Sequence, residues 1–255
     1  TLPLDGIRVV EFCQTIMGPS AGLILADLGA DVIKVEPAPD GDKTRRLHGF
    51  AAGFFGAFNR NKRGFAANLK SDDGRAAVHK LLETADVVIE NFRPRVMRNL
   101  DITYERLLKV NPNLLMCSMP GFGLEGPYSE YPAFGSTAEA MSGINSMIGY
   151  RPDRPLQTGL SYADPVSGVN LVNLILAFTR RRSFTGKGSF IDMALADSPL
   201  GTLGEFFVAN SATGYLESPN GNLHPEYSPH GAFRCSGRDN WIAISITTDC
   251  QWESL

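Results

Sequence analysis

Apolar residues along this chain fall into two rhythms. Short, almost unbroken apolar runs occur at 7–12 (IRVVEF), 31–36 (DVIKVE), 86–91 (DVVIEN), 114–123 (LLMCSMPGFG) and 189–195 (SFIDMAL). Runs of that length without alternation are strands covered on both faces, as in a parallel sheet. Between them lie segments with helical punctuation. GPSAGLILADLGA (18–30) has Gly-Pro at its start and Gly29 near its end. KSDDGRAAVHKLLETA (70–85) offers Ser71 or Asp72 as an N-cap, TYERLLKVN (103–111) follows, and 165–182 is a long apolar helix ending in three arginines. The first β-α-β unit spans about 30 residues, the size of a Rossmann-like half, without the GxGxxG of dinucleotide sites.

Strands alternating with helices predict an α/β fold, a Rossmann-like parallel sheet with helices on both faces. From about residue 211 the texture changes. SATGYLESPNGNLHPEYSPHG is loop-like, and AFRCSGRDNWIAISI after it predicts a β-hairpin. The expected division is a large domain over 1–210, then a linker and the start of a smaller α+β domain over 211–255.

Composition narrows the function classes. The chain has 255 residues and a net charge of −3, which gives no electrostatic footprint for nucleic acid or an anionic membrane. Basic groups at Arg45–Arg46, 59–63 and Arg180–Arg182 suit a phosphate-bearing small molecule or, more simply, a solvated face. Cys13, Cys117, Cys235 and Cys250 are far apart, and the four histidines make no ligand pattern, so neither disulfides nor a metal site is expected. The apolar runs stop short of a membrane span and the chain enters a strand pattern at once, so a cytoplasmic protein without a leader is expected.

The candidate chemistry lies in GLSYADPVSG (159–168), where Asp164 stands at the mouth of the apolar 165–182 helix. Asp is a favoured helix cap, and from these residues alone capping is the simpler reading. The other reading is a carboxylate kept ionised by the helix dipole and made nucleophilic by partial desolvation.

LDGIRVVEF, GPSAGLILADLGADVIKVE, NRNKRG, DVVIENFRP, GFGLEGPY and TGKGSFIDMALAD occur in the order and approximate spacing of the class III CoA-transferases. This ordered set over 4–255 resembles the N-terminal two-thirds of that family, which includes formyl-CoA transferase, carnitine CoA-transferase and the α-methylacyl-CoA racemases. The resemblance implies that Asp164 is a nucleophile that carries CoA as an aspartyl thioester between an acyl-CoA donor and a carboxylic acid acceptor. It implies CoA and acyl-CoA as substrates, with no tightly bound cofactor. It also implies a homodimer of interlocked chains, or a complementary C-terminal chain as partner.

By the same resemblance, Gln14, Thr15, Ile16 and Met17 lie over the thioester and pantetheine, and Asn91 and Phe92 contact the pantetheine arm. Ala67 and Lys70 fall near the adenosine end. Lys62 and Arg98 are phosphate partners by charge alone. Ile16 stands where formyl-CoA transferases have Gln. Phe134, followed by Gly135, stands where racemases have the His of a His–Asp pair, which disfavours racemisation. Two alternatives stand beside CoA transfer: an α-methylacyl-CoA racemase or epimerase, and a non-catalytic CoA-binding fragment or subunit.

Overall fold

The apolar runs pair side by side. The computed structural model describes residues 1–255 except the side chain of Phe50. In chain order, its first elements are β1 (Arg8–Phe12), α1 (Met17–Asp27), β2 (Asp31–Pro37), α2 (Phe54–Asn59), β3 (Arg63–Ala67), α3 (Asp72–Leu82) and β4 (Val87–Glu90). There follow α4 (Pro94–Asn99), α5 (Tyr104–Leu108), β5 (Leu115–Ser118), α6 (Gly135–Ser142), α7 (Ala163–Thr185), β6 (Ser189–Asp192) and α8 (Gly204–Thr213). The last are β7 (His230–Arg234), β8 (Trp241–Ser245) and α9 (Asp249–Glu253). Strands β1 to β6 form one sheet in the order β3-β2-β1-β4-β5-β6, every neighbouring pair parallel. Strands β7 and β8 form an antiparallel pair.

The continuous apolar runs follow from burial on both faces of the sheet. Val9, Val87 and Leu115, in register across β1, β4 and β5, pack with Leu25 of α1 and with Leu171 and Ile175 of α7. The next row, Val10, Val88 and Met116, packs on the opposite face with Val78 and Leu82 of α3 and Leu107 of α5. Each such fully buried side chain contributes roughly 1.5–3 kcal/mol of transfer free energy.

Strand β3 was not expected. Its sequence, RGFAA, is mostly solvent-facing, because an edge strand covered on one side needs no apolar run. Helix α7 also differs, beginning two residues earlier and ending later than the expected 165–182, with Gly186 at φ +64° closing it. Ser71 caps α3 by accepting from the Gly74 N–H at 3.2 Å. Among the described residues no helix is long and apolar enough to cross a membrane.

The chain divides into two compact units, one of Thr1–Ser142 with Gly159–Gly204 and one of Gly143–Thr158 with Glu205–Leu255. The sequence division at 210/211 had left 143–158 with the large domain. Those residues join the second unit through contacts such as the Gly221 N–H donating to the Gly149 carbonyl at 2.9 Å.

Within the first unit, α1 and α7 cross closely. A Cβ on Gly168 of α7 would lie 2.1 Å from Ser20 Oγ and 3.0 Å from the Met17 carbonyl oxygen of α1. Ser20 Oγ is itself held on that carbonyl at 2.7 Å, so it has little room to yield. Gly168→Ala is therefore expected to destabilise the fold by about 1–3 kcal/mol, as overpacking does. Urea unfolding should show a lower midpoint at an unchanged slope, and an unchanged midpoint would contradict the close crossing.

Candidate active site

In a doubly wound sheet the chain reverses its direction of travel across the strands, and loops diverge there to open a crevice at the carboxyl ends. Here that point lies between β1 and β4. The loop after β1 and the turn after β4 flank it and are tied together. Gln14 donates its N–H to Asn91 Oδ1 at 2.9 Å, and Asn91 Nδ2 donates to the Gln14 carbonyl at 2.9 Å. Thr15, between them and α1, has φ +68°, a strained conformation for a non-glycine residue.

A cavity of about 670 Å³ opens at this crevice. Gln14, Thr15, Ile16, Met17, Asn91, Phe92, Phe134, Gly135 and Asp164 all line it. The structure thus brings together nine residues that the sequence reading nominated. Ala67, Lys70, Lys62 and Arg98 do not line it. Ala67 is buried at the end of β3 among core residues, and Lys70 is exposed. Lys62 has a side chain 2% exposed, and its ammonium pairs with Glu11 Oε2 at 2.7 Å. Arg98 likewise points to a carboxylate, donating to Glu130 Oε1 at 2.8 Å. Charge alone nominated these two, and each charge is met within the protein. The cations that do line the cavity, Lys43 and Arg93, were missed, although Arg93 follows directly on the nominated Asn91 and Phe92.

Asp164 is not the cap of its helix. That position belongs to Tyr162, and Asp164 sits inside the first turn of α7. Its side chain is buried, and its carboxylate faces the backbone N–H groups of Gly135 and Met17. Burial raises its pKa to about 6. The Gly135 N–H opposes the rise, the nearby charge of Glu139 adds to it, and the Met17 N–H opposes it. The carboxylate is thus largely ionised at neutral pH and poorly hydrated.

A second buried carboxyl, Glu90, ends β4. Burial pushes its pKa up to about 7, against the hydrogen bonds it accepts from Ser118 Oγ and, at 2.8 Å, from the Phe92 N–H. That second bond fixes the turn carrying Asn91 and Phe92.

A doubly wound parallel sheet with a desolvated carboxylate and two cations in one cavity beside its switch point defines the class: an α/β protein whose candidate site lies in the crevice at the carboxyl ends of its strands. The family model for CoA-transferase family III matches residues 4–255, and the chain belongs to that family. It is 37% identical over 268 residues to the succinate–glutarate CoA-transferase of Agrobacterium fabrum, covering 99% of this chain and 65% of that protein. It is 37% identical over 250 residues to the acetyl-CoA:oxalate CoA-transferase of Acetobacter aceti, covering 93% of this chain and 64% of that protein. The chain therefore spans just under two-thirds of the length of these curated relatives. A crystal structure of a CaiB/BaiF family protein from Brucella suis superposes with a TM-score of 0.92 at 38% identity, covering 99% of this chain and 68% of that one.

Gly135 is fixed by the carboxylate it faces. A Cβ there would lie 2.1 Å from Asp164 Oδ2. Gly135→Ala is expected to displace that carboxylate from the residue-135 N–H. A crystal structure of the variant checks this, and an unmoved carboxylate contradicts it.

Proposed function

We propose that the protein transfers CoA from an acyl-CoA to a carboxylic acid, with Asp164 as covalent nucleophile. The observation that carries this reading is the Asp164 carboxylate, poorly hydrated yet held ionised by two backbone N–H groups in a cavity at the switch point. Relatives named as CoA-transferases acting on succinate, glutarate and oxalate support the reaction class.

The reaction is a sequence of acyl exchanges that needs no net proton or electron. An Asp164 oxygen attacks the thioester carbonyl of the donor, the C–S bond breaks, and CoA thiolate leaves behind a mixed anhydride. The thiolate attacks the Asp164 acyl carbon, and the donor acid departs as carboxylate, leaving an aspartyl-CoA thioester. The acceptor carboxylate attacks that thioester and releases thiolate again. The thiolate then attacks the acceptor's acyl carbon, which forms the new acyl-CoA and frees the Asp164 carboxylate.

Desolvation favours the first step, because a carboxylate stripped of water is a better nucleophile. The Met17 and Gly135 N–H groups serve the middle steps. They already point at the Asp164 oxygens, so they meet the oxyanion that forms when Asp164's own carbonyl carbon is attacked. A proton-transfer reaction alpha to the thioester would need a second base across the site. The described residues lining the cavity include no histidine, and by the family resemblance Phe134 falls where racemases carry one.

Incubation of the full chain with an acyl-CoA donor and no acceptor should leave CoA on Asp164, seen by intact mass, discharged by hydroxylamine and mapped by peptide analysis. Asp164→Asn, checked against deamidation, should abolish the adduct and lower turnover by roughly 10⁴-fold or more, as loss of a nucleophile does. Full turnover by that variant would refute the proposal.

The pH dependence has a defined sign. The attacking group is the ionised carboxylate and its pKa is raised to about 6, so the protonated form accumulates as pH falls through that value. kcat/KM for the acyl-CoA should fall on the acid side of about pH 6, and a limb at an ordinary carboxylate pKa would show that Asp164 is not the group titrating.

A further inference from the structure

The loop between β1 and α1 forms part of the cavity rim and runs into Met17, the first residue of α1, whose N–H faces Asp164. What fixes this loop lies beneath it. Lys34 of β2 is 1% exposed. Its Nζ donates to the Cys13 carbonyl at 2.7 Å and to Glu11 Oε1 at 2.9 Å, and Asp42 Oδ2 lies 2.9 Å away. Lys62 Nζ donates to the Pro19 carbonyl at 2.8 Å, to Glu11 Oε2 at 2.7 Å and to Asn59 Oδ1 at 3.1 Å. One carboxylate thus bridges two ammonium groups, and each ammonium ends on a backbone carbonyl. Those two carbonyls bracket residues 14–18.

The arrangement is costly for a merely structural element. Two ammonium and two carboxylate groups have left water, and a well-packed apolar cluster of the same volume would hold a fold about as well. Burial by itself would lower Lys34, and the charges of Glu11 and Asp42 outweigh it and hold its pKa above the usual lysine value. Burial prevails at Lys62, whose pKa lies below that value. What an ionic cluster provides and an apolar one lacks is direction, since a carbonyl has to point at the ammonium it serves. The enclosed loop needs such direction, because Thr15 at φ +68° would relax if its flanks were free. Space has been cleared for the cluster as well: a Cβ on Gly22 of α1 would lie 1.9 Å from Glu11 Oε2.

We propose that Lys34, Lys62 and Glu11 are positioning residues that clamp the β1–α1 loop from both sides, at Cys13 and at Pro19 in the first turn of α1, and so keep the Met17 N–H on the Asp164 carboxylate. The charged groups facing Asp164 are Glu139 from α6 and, in the wall of the same cavity, Lys43 and Arg93. The clamp acts through the loop backbone. Its kinetic consequence rests on Asp164 being the nucleophile; its structural consequence does not.

The test uses the full chain and variants that remove charge in pairs. Glu11→Gln combined with Lys62→Met frees the Pro19 carbonyl and leaves Lys34 with Asp42. Lys34→Met combined with Asp42→Asn frees the Cys13 carbonyl. The Asp164 carboxyl is titrated by 13C NMR, assigned by difference from Asp164→Asn, and the acid limb of adduct formation from an acyl-CoA is measured alongside. Loss of one hydrogen bond to a charged group should raise the Asp164 pKa by about one unit, and the acid limb should move with it. A folded variant whose Asp164 titrates as in the wild type overturns the clamp. So does a Met17 amide in the wild-type protein that exchanges as fast as an open loop, a measurement that needs no variant. A shifted titration without any adduct would retain the clamp and reject the nucleophile.

Discussion

A carboxylate that has lost most of its water must be held by something other than water. At Asp164 the holders are two backbone N–H groups from segments far apart in sequence, Met17 and Gly135. Backbone donors do not change rotamer, so their aim is only as good as the placement of the chain that bears them. Much of the first unit can be understood as what that placement requires. The sheet sets the β1 loop at the switch point, α7 brings Asp164 to it, and α6 begins at Gly135 where a side chain would strike the carboxylate.

The crossing of α1 and α7 governs the distance between the carboxylate and its first donor. Met17 opens α1 and Asp164 lies in the first turn of α7, so any change in the spacing of these helices is felt at the hydrogen bond itself. Gly168, one turn beyond Asp164, permits the approach, with Ser20 Oγ turned back onto the Met17 carbonyl opposite it. α1 is buried around most of its circumference, between the sheet on one side and α7 on the other. An almost all-round apolar helix is what such a sandwiched position demands.

The parts of this architecture that appear in the sequence are those that depend on side-chain chemistry. Strands β1, β2, β4 and β5 were legible because burial on both faces writes a continuous apolar run. Strand β3 was not, because RGFAA at the sheet edge is mostly in solvent and pays no such compositional toll. The short helices α2 and α4, of six residues each, end before two turns of periodicity can accumulate. Within the site, Asp164, Asn91 and the Gln14–Met17 loop were nominated through the family resemblance, and the structure places them in one cavity. The N–H donors of Met17 and Gly135 act through the backbone and leave no side-chain signature. Lys62 and Arg98 show a different limit of the sequence. A lysine or arginine in a sequence looks like a free cation, and whether a carboxylate such as Glu11 or Glu130 already claims it is decided only by the fold.

The pKa of about 6 at Asp164 is a compromise between two demands that pull in opposite directions. Reactivity rises as the carboxylate is stripped of stabilisation, which argues for deep burial and few donors. Availability of the ionised form at neutral pH argues for donors and against neighbouring negative charge. Two N–H groups alone would lower the pKa, and burial and Glu139 raise it. The net position leaves the anion predominant near neutrality while still poorly solvated. Had the donors been lysine or arginine side chains, the pKa would have fallen well below the usual carboxylate range and the nucleophile would have been quenched by its own counter-ion. Keeping the ammonium groups of Lys34 and Lys62 on loop carbonyls, and presenting only neutral N–H groups to Asp164, avoids that outcome.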